Sequence, residues 1–168
     1  WIENTRIQNA SDNGINISGA TNYRIVNSSV TFSGSATAPH GVNLSGTSKG
    51  YFAFNTIAKN SAGVNCSAGQ RISDSVVSTN TPPQIEAACS KARVNESVVI
   101  NAGTGASPTE PALMSVADEA LLVDKTTPAE VEADLKALQP LQIKVGNDYA
   151  LTARPKGNGY DIGYKEIR

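Results

Sequence analysis

The chain has 168 residues and a formal net charge of −1, from 14 basic and 15 acidic residues. This length suits one domain with its own core, and the near-neutral charge gives no electrostatic reason to expect nucleic acid or an acidic membrane as a partner. The sequence has no stretch near the roughly 20 apolar residues of a membrane helix, and no basic start followed by an apolar segment marks a signal peptide.

A short motif returns along the first hundred residues. DNGINISG (12–19) is followed by PHGVNLSG (39–46) and then by SAGVNCSA (61–68). The motif glycines lie 27 and 22 residues apart, and Gln84 takes the corresponding place 21 residues later. Self-similarity at a period of roughly 20–50 residues is typical of solenoids and arrays.

A second motif alternates with the first. Each copy has an apolar residue, then Asn, Asp or Glu, then Ser or Thr, then an apolar residue. The copies are IENTRI (2–7), IVNSSV (25–30), FNTI (54–57), ISDSVV (72–77) and VNESVV (94–99). Two interleaved motifs with one period predict a coil of short strands, in which positions 4, 27, 55, 74 and 96 stack.

Within each strand the apolar residues alternate with polar ones, so successive side chains face opposite sides. Ile15, Val42 and Val64 are therefore expected inside the coil, one above another. The expected outward row is Asn16, Asn43, Asn65 and Glu86. At the corners we expect glycine to provide positive φ and asparagine to tolerate the left-handed bend.

These motifs resemble the right-handed parallel β-helix of the pectin-lyase-like superfamily, over residues 1 to about 103. The sequence thus predicts an all-β fold: a right-handed parallel β-helix (solenoid) of about four to five turns in residues 1–103. Residues 104–168 are predicted to hold a loop, one α-helix and a closing motif that pack on the coil. The chain starts directly inside a repeat, whereas members of the superfamily usually begin with a plugging helix. We therefore expect that upstream turns have been removed or that a partner chain covers the N-terminal end.

The helix is predicted in TTPAEVEADLKALQ (126–139). Thr127 is its expected N-cap, and Glu130 three residues later completes a capping box. Its apolar stripe is expected to consist of Val131, Leu135 and Leu138. The stripe predicts a helix that covers a flank or an end of the coil.

The final stretch, ARPKGNGYDIGYKEI (153–167), resembles a closing motif R-P-x-G-x-x-x-D-I-G-A-Y-E of secreted bacterial β-helix proteins. The matching positions are Arg154, Pro155, Gly157, Asp161, Ile162, Gly163 and Glu166, while Tyr164 and Lys165 depart from it. The motif's role in those proteins is structural. The resemblance implies an extracellular or cell-surface location.

Four long polar side chains each precede an inward apolar residue: Arg24, Tyr51, Arg71 and Arg93. They are expected to form an outward column that binds polysaccharide, anionic chains included, because Arg pairs bidentately with carboxylates and Tyr packs on sugar rings. A solvated face of long side chains is the alternative.

His40 is the only histidine, and PHGVNLSG resembles the G-H-G-[IV]-S-[IV]-G turn of polygalacturonases. Inverting hydrolysis needs two carboxylic groups, and the corresponding places read DNG (12–14) and VNL (42–44), so amides stand where acids are required. His40 remains a ligand-binding candidate, with a structural corner residue as the alternative.

Cys66 and Cys89 lie 23 residues apart, close to one repeat, so they are expected on adjacent turns within bridging range. A disulfide and two buried thiols both remain open. The acids of the coil fall on different strands and corners, so no metal site and no cofactor are predicted.

The predicted function is that of the C-terminal part of an extracellular β-helix protein that binds or modifies polysaccharide. By resemblance the leading role is polysaccharide lyase-like or epimerase-like, and whether the chain is an enzyme stays open. The alternative is a non-catalytic surface, adhesin or phage tailspike-like module for glycan recognition or structural spacing.

Overall fold

The computed structural model describes residues 1–20, 22–46, 50–67, 70–97, 125–137, 147–148, 151, 153–155, 158–161 and 163. Strands of two to six residues and one helix lie in these ranges. The strands are β1 Ile2–Glu3, β2 Arg6–Gln8, β3 Ile15–Ser18, β4 Arg24–Val26, β5 Ser29–Thr31, β6 His40–Ser45, β7 Tyr51–Ala53, β8 Thr56–Ala58, β9 Ala62–Cys66, β10 Arg71–Ser73, β11 Val76–Ser78 and β12 Ser90–Ala92; the helix is α1 Pro128–Ala137.

The strands form three parallel sheets, because each strand pairs with its counterpart one turn further along the chain. Sheet A has the order β1-β4-β7-β10-β12, sheet B the order β11-β8-β5-β2 and sheet C the order β3-β6-β9. Bridges from Val64 to Ile85 and from Val76 to Asn95 extend sheets C and B into the next turn. The result is a parallel β-solenoid of about four turns, which confirms the predicted fold class.

The inside of the coil is a set of aliphatic columns, as the alternation predicts. Ile15 pairs with Val42 and Val42 with Val64, and these side chains are 4%, 0% and 0% exposed. The other inward columns are Ile17–Leu44–Cys66, Ile2–Ile25–Phe52–Ile72 and Ile7–Val30–Ile57–Val77. Each fully buried aliphatic side chain contributes about 1.5–3 kcal/mol relative to an exposed one.

The corner after each sheet A strand is a single residue with positive φ. These residues are Asn4, Asn27, Phe54, Asp74 and Arg93, with φ between 48° and 56°. The predicted ladder was therefore wrong at positions 55 and 96. Asn55 occupies the next place, where its Oδ1 accepts a hydrogen bond from the Ser28 amide at 3.0 Å. The motif alignment failed here because asparagine suits two neighbouring positions. At the corner it adopts positive φ, and at the next position its side chain accepts a hydrogen bond from a backbone amide of the adjacent turn.

The repeated glycines serve a different purpose from the expected one. They are Gly14, Gly41 and Gly63, and none has positive φ. A Cβ atom on Gly14 would overlap the side chain of Val30, and one on Gly63 would overlap the backbone of Gln84. Glycine recurs at this place in the repeat, just before β3 and inside β6 and β9, because adjacent parts of the coil leave no space for a side chain.

Helix α1 begins as predicted. The Thr127 amide donates to Glu130 Oε2 at 2.8 Å, and the Glu130 amide donates to Thr127 Oγ1 at 3.3 Å, which is a capping box. Val131 is 2% exposed and packs with residues of sheet A, so the helix covers a flank of the coil. Leu138 and the predicted boundary between residues 103 and 104 lie outside the described residues.

Part of the closing motif also lies against sheet A. The Arg154 guanidinium donates to the carbonyl oxygens of Asp161 and Gly163 at 2.8 and 2.9 Å, and it lies 4.7 Å from the Phe54 ring centroid. The Gly163 amide donates to the Asp74 carbonyl oxygen at 2.9 Å. These contacts join the end of the chain to the corners of the third and fourth turns.

Candidate binding face

The outward faces of the three sheets differ in how much solvent reaches them. On sheets A and B most outward side chains are buried; they include Val26, Tyr51, Ala53 and Ser73 on sheet A and Ser29, Thr31, Thr56, Ala58, Val76 and Ser78 on sheet B. On sheet C the outward side chains are exposed or half-buried. A ligand of this coil therefore has direct access to sheet C.

Strand pairing confirms the predicted alignment of Arg24, Tyr51 and Arg71 on sheet A, but of these three side chains only Arg71 is exposed. Strand pairing aligns Arg24 with Tyr51, and Tyr51 with Arg71. The next residue in the column is Ser90, so the expectation that Arg93 belongs to it was wrong. Arg24 and Tyr51 are 5% and 3% exposed, and Tyr51 belongs to the apolar cluster that includes Val131 of α1. Alternation identifies the outward side of a strand but not the segment that covers it.

The arginines proposed as ligand contacts have protein partners. Arg24 pairs with Glu3 at 2.8 Å, and its guanidinium lies 5.5 Å from the centre of the Trp1 ring. Arg71 reaches Asp134 of the helix at 2.9 Å. No repeat spacing links residue 71 to residue 134, so sequence reasoning missed this partner.

Arg93 joins the helix to the coil. Its Nε lies 2.6 Å from Asp74 Oδ1, and its Nη2 lies 2.6 Å from Asp134 Oδ2. Asp74 is fully buried and also accepts a hydrogen bond from Thr126 Oγ1. Hydrogen bonding to Asp74 raises the pKa of Arg93, and burial raises the pKa of the nearby Tyr51 phenol. These groups hold the helix on sheet A and are not free for a ligand as they stand.

The open surface on sheet C has two columns of small polar side chains, which together we call the amide face. It consists of Asn16, Asn43 and Asn65 in one column and Ser18, Ser45 and Ser67 in the other. Asn43 Nδ2 donates to Asn16 Oδ1 at 2.8 Å, and Asn65 Nδ2 donates to Asn43 Oδ1 at 2.7 Å. The bonds run in one direction along the coil and fix the orientation of each amide.

The amide face retains hydrogen-bonding capacity after the ladder has formed. A primary amide has two donor hydrogens and two acceptor lone pairs, and each ladder bond uses one donor and one lone pair. The second Nδ2 hydrogen of Asn43 makes a long hydrogen bond of 3.5 Å to Ser45 Oγ, and solvent reaches all three side chains because the face is exposed or half-buried. The sequence signal was the thrice-repeated Asn-x-Ser, of which the asparagines were identified and the serines were missed.

His40 and Glu86 lie beside the amide face. Glu86 follows Ile85, whose bridge to Val64 continues sheet C by one turn, so it extends the asparagine column as expected. His40 Nε2 lies 3.5 Å from Glu86 Oε1, and the His40 amide donates to Asn13 Oδ1 at 3.0 Å. This pair provides the one imidazole of the sequence and a carboxylate at the edge of the open face.

Cys66 and Cys89 form a disulfide, with their Cα atoms 5.1 Å apart. Cys66 is an inward residue of β9, so the bond ties the strand that carries Asn65 to the following turn. The described residues contain no group of three or more His, Cys, Asp or Glu side chains placed to bind one metal ion. In the same part of the chain no helix is both long and apolar enough to cross a membrane.

No model of a known protein family, no curated protein and no solved structure matches this chain. The superfamily resemblance therefore rests on the quoted motifs, and the parallel β-solenoid rests on the strand pairing described above.

Proposed function

We propose that this chain is a β-solenoid module that binds polysaccharide through its amide face. The observation that carries the proposal is a solvent-accessible ladder of hydrogen-bonded asparagines, flanked by serines, on a coil whose other outward faces are largely covered. Amides and hydroxyls bind sugar hydroxyls both as donors and as acceptors. The ladder holds the amides in place before a ligand arrives, which reduces the ordering cost of binding.

The disulfide supports an extracellular or cell-surface location, because such bonds persist in oxidising compartments. The closing motif, with Arg154 and Gly163 anchored on the coil, supports the same location through its resemblance to secreted proteins. A binding module at the cell surface is consistent with the non-catalytic alternative derived from the sequence.

Binding is tested by affinity electrophoresis in gels that contain xylan, mannan, mixed-linkage glucan, polygalacturonate or alginate. The blocking variant is Ser45→Leu, which places an apolar side chain in the middle of the amide face. The matched control is Ser11→Leu, at an exposed turn outside it. We expect retardation of the parent and of Ser11→Leu in at least one gel, and loss of it for Ser45→Leu. Equal retardation of both variants would show that the ligand binds elsewhere, and a parent that no gel retards would reject the function.

A second candidate is a polysaccharide lyase or epimerase, and the His40–Glu86 pair is the observation that favours it. A histidine next to a carboxylate is an arrangement that serves general-base catalysis. Proton removal next to a uronate carboxylate also needs a positive group to neutralise that carboxylate, and no arginine or lysine belongs to the amide face. The ultraviolet absorbance of unsaturated uronate products measures lyase action directly. A rise that His40→Gln abolishes would establish the enzyme, and no rise with retained binding would favour the module.

A further inference from the structure

We infer that the amide face takes a neutral, hydroxyl-rich polysaccharide rather than a uronate chain, with the sugar chain aligned along the solenoid axis. This inference rests on the proposed function and names the class of its ligand. It differs from the expectation drawn from the sequence, in which arginines of the coil contact an anionic chain.

The charges of the face favour a neutral ligand. Its six asparagine and serine side chains are uncharged, and among the residues that the structure describes His40 and Glu86 lie beside it, 3.5 Å apart. Glu86 has a half-exposed carboxylate, with 38% of its side chain accessible. A polyuronate on the asparagine column would meet this carboxylate, and like charges repel at such distances. No lysine or arginine is present among the described outward residues of sheet C to offset the repulsion.

The arginines that the sequence suggested as ligand contacts already have carboxylate partners within the chain. Arg24 is buried against Glu3 and Trp1, and Arg71 and Arg93 share the Asp134 carboxylate. A uronate that used Arg71 or Arg93 would have to compete with Asp134, which already provides a carboxylate to both guanidinium groups. The positive charge of sheet A is therefore matched within the chain.

The hydrogen-bond pattern fits neighbouring hydroxyl groups on a sugar ring. An amide offers a donor and an acceptor side by side. On Asn43 the ladder bonds to Asn16 and Asn65 leave one acceptor lone pair, and the second Nδ2 hydrogen makes a long contact of 3.5 Å with Ser45 Oγ, which a sugar hydroxyl can replace. Equivalent amides repeat with the strand spacing of about 4.8 Å along the coil. Because this repeat runs along the solenoid axis, an extended chain parallel to the axis meets the same pair of groups at each turn.

The experiment is isothermal titration of the intact chain with mannan and mixed-linkage glucan fragments and with polygalacturonate and alginate fragments, at low and high salt. Glu86→Gln keeps the size of the side chain and removes its charge. Ser45→Lys adds a cation in the centre of the face. We expect a neutral fragment to bind with an affinity that salt leaves unchanged, because no ion pair forms, and we expect polyuronate fragments to bind the parent more weakly than they bind Glu86→Gln. Ser45→Lys should lower the affinity for the neutral fragment about fivefold to tenfold, as expected for the loss of a good hydrogen bond.

The outcomes separate the two proposals. If polygalacturonate or alginate binds the parent more tightly than every neutral fragment, and Glu86→Gln tightens it further, polysaccharide binding stands and the ligand class inferred here is wrong. If no fragment binds the parent, the proposed function fails and this inference fails with it. Neutral binding that Ser45→Leu removes and that Ser11→Leu retains supports both.

Discussion

Sheet A and sheet C have the same parallel pairing and the same alternation, yet the outward face of sheet A is largely buried and that of sheet C is open to solvent. On sheet A, Tyr51 and Ala53 are buried in a cluster with Val131 of the helix. On sheet C, Asn16 and Ser18 are exposed. Strand periodicity therefore sets which side chains point out of the core, whereas a distant segment of the chain sets whether those side chains reach solvent.

The two faces also treat polar groups differently. A buried charge must be paired because desolvation is costly, and the fully buried Asp74 is paired with Arg93. Exposed amides can exchange a neighbour for water at little net cost, so the asparagine ladder of sheet C is expected to contribute less to stability. We expect the covered face to govern stability and the open face to govern binding.

The largest effect is expected for Asp74→Ala on the covered side. The substitution removes one partner of a buried pair and should lower the free energy of unfolding by about 3–5 kcal/mol. Urea denaturation followed by circular dichroism measures it. Glu96→Ala is the matched control, since it breaks the exposed pair with Lys91 and should cost less than about 1 kcal/mol. Equal costs for the two variants would contradict the proposed difference between buried and exposed pairs.

Removing the disulfide tests how much the bond between Cys66 and Cys89 stabilises the turns that carry the amide face. The double variant Cys66→Ser and Cys89→Ser should lose roughly 3 kcal/mol, because the unfolded chain regains the entropy of an open loop of about this length. Thermal unfolding of the parent should shift downward in reductant, while the double variant should not respond. A parent whose midpoint is insensitive to reductant under conditions that reduce the bond would show that the last turn is held by packing alone.

A pair of substitutions to leucine compares the two faces directly. Ala53→Leu forces added volume beneath α1 and should cost about 1–3 kcal/mol, as overpacking does. Ser45→Leu on the amide face should change the free energy of unfolding by no more than about 0.5 kcal/mol. Chemical denaturation measures the free energy of unfolding of both variants. An unchanged value for Ala53→Leu would mean that the helix lies on sheet A without tight packing.

The smallest effect concerns pH and the cap of the covering helix. Hydrogen bonds from the Thr127 amide and hydroxyl lower the pKa of Glu130 below its ordinary value of 4.5. A carboxyl with a lowered pKa in the folded state stabilises the fold above its unfolded pKa, and this contribution is lost as the pH falls through the folded value. The parent should therefore unfold at a slightly higher temperature than Glu130→Gln near neutral pH, and the difference should vanish in acid. A difference that persists unchanged in acid would exclude the charge of Glu130 as its cause.

The sequence predicted the interior of the coil more completely than its outer surface. The stacking of Ile15, Val42 and Val64 followed from local alternation and from the repeat. The corner ladder was misaligned at Asn55, because two neighbouring positions accept asparagine for different reasons. One turns the backbone, and the other bonds an amide of the adjacent turn.

Only part of the candidate site could be predicted from the sequence. His40, Glu86 and the asparagine row were identified, and their register on sheet C is the one expected from the repeat. Arg93 was placed in a column that it does not join, since a spacing near one period does not distinguish a strand residue from a corner residue. Its position at the corner brings it to Asp74 and Asp134 instead.

The stacked turns, the aliphatic interior and the start of the helix could be predicted from the sequence, because each depends on residues close together or related by one repeat. The choice of the open face and the pairing of the arginines emerge only when distant segments pack together. Those outcomes depend on contacts such as the one between Arg71 and Asp134, which are 63 residues apart. No local pattern encodes a contact of that kind, since its energy exists only after the coil and the helix have come together.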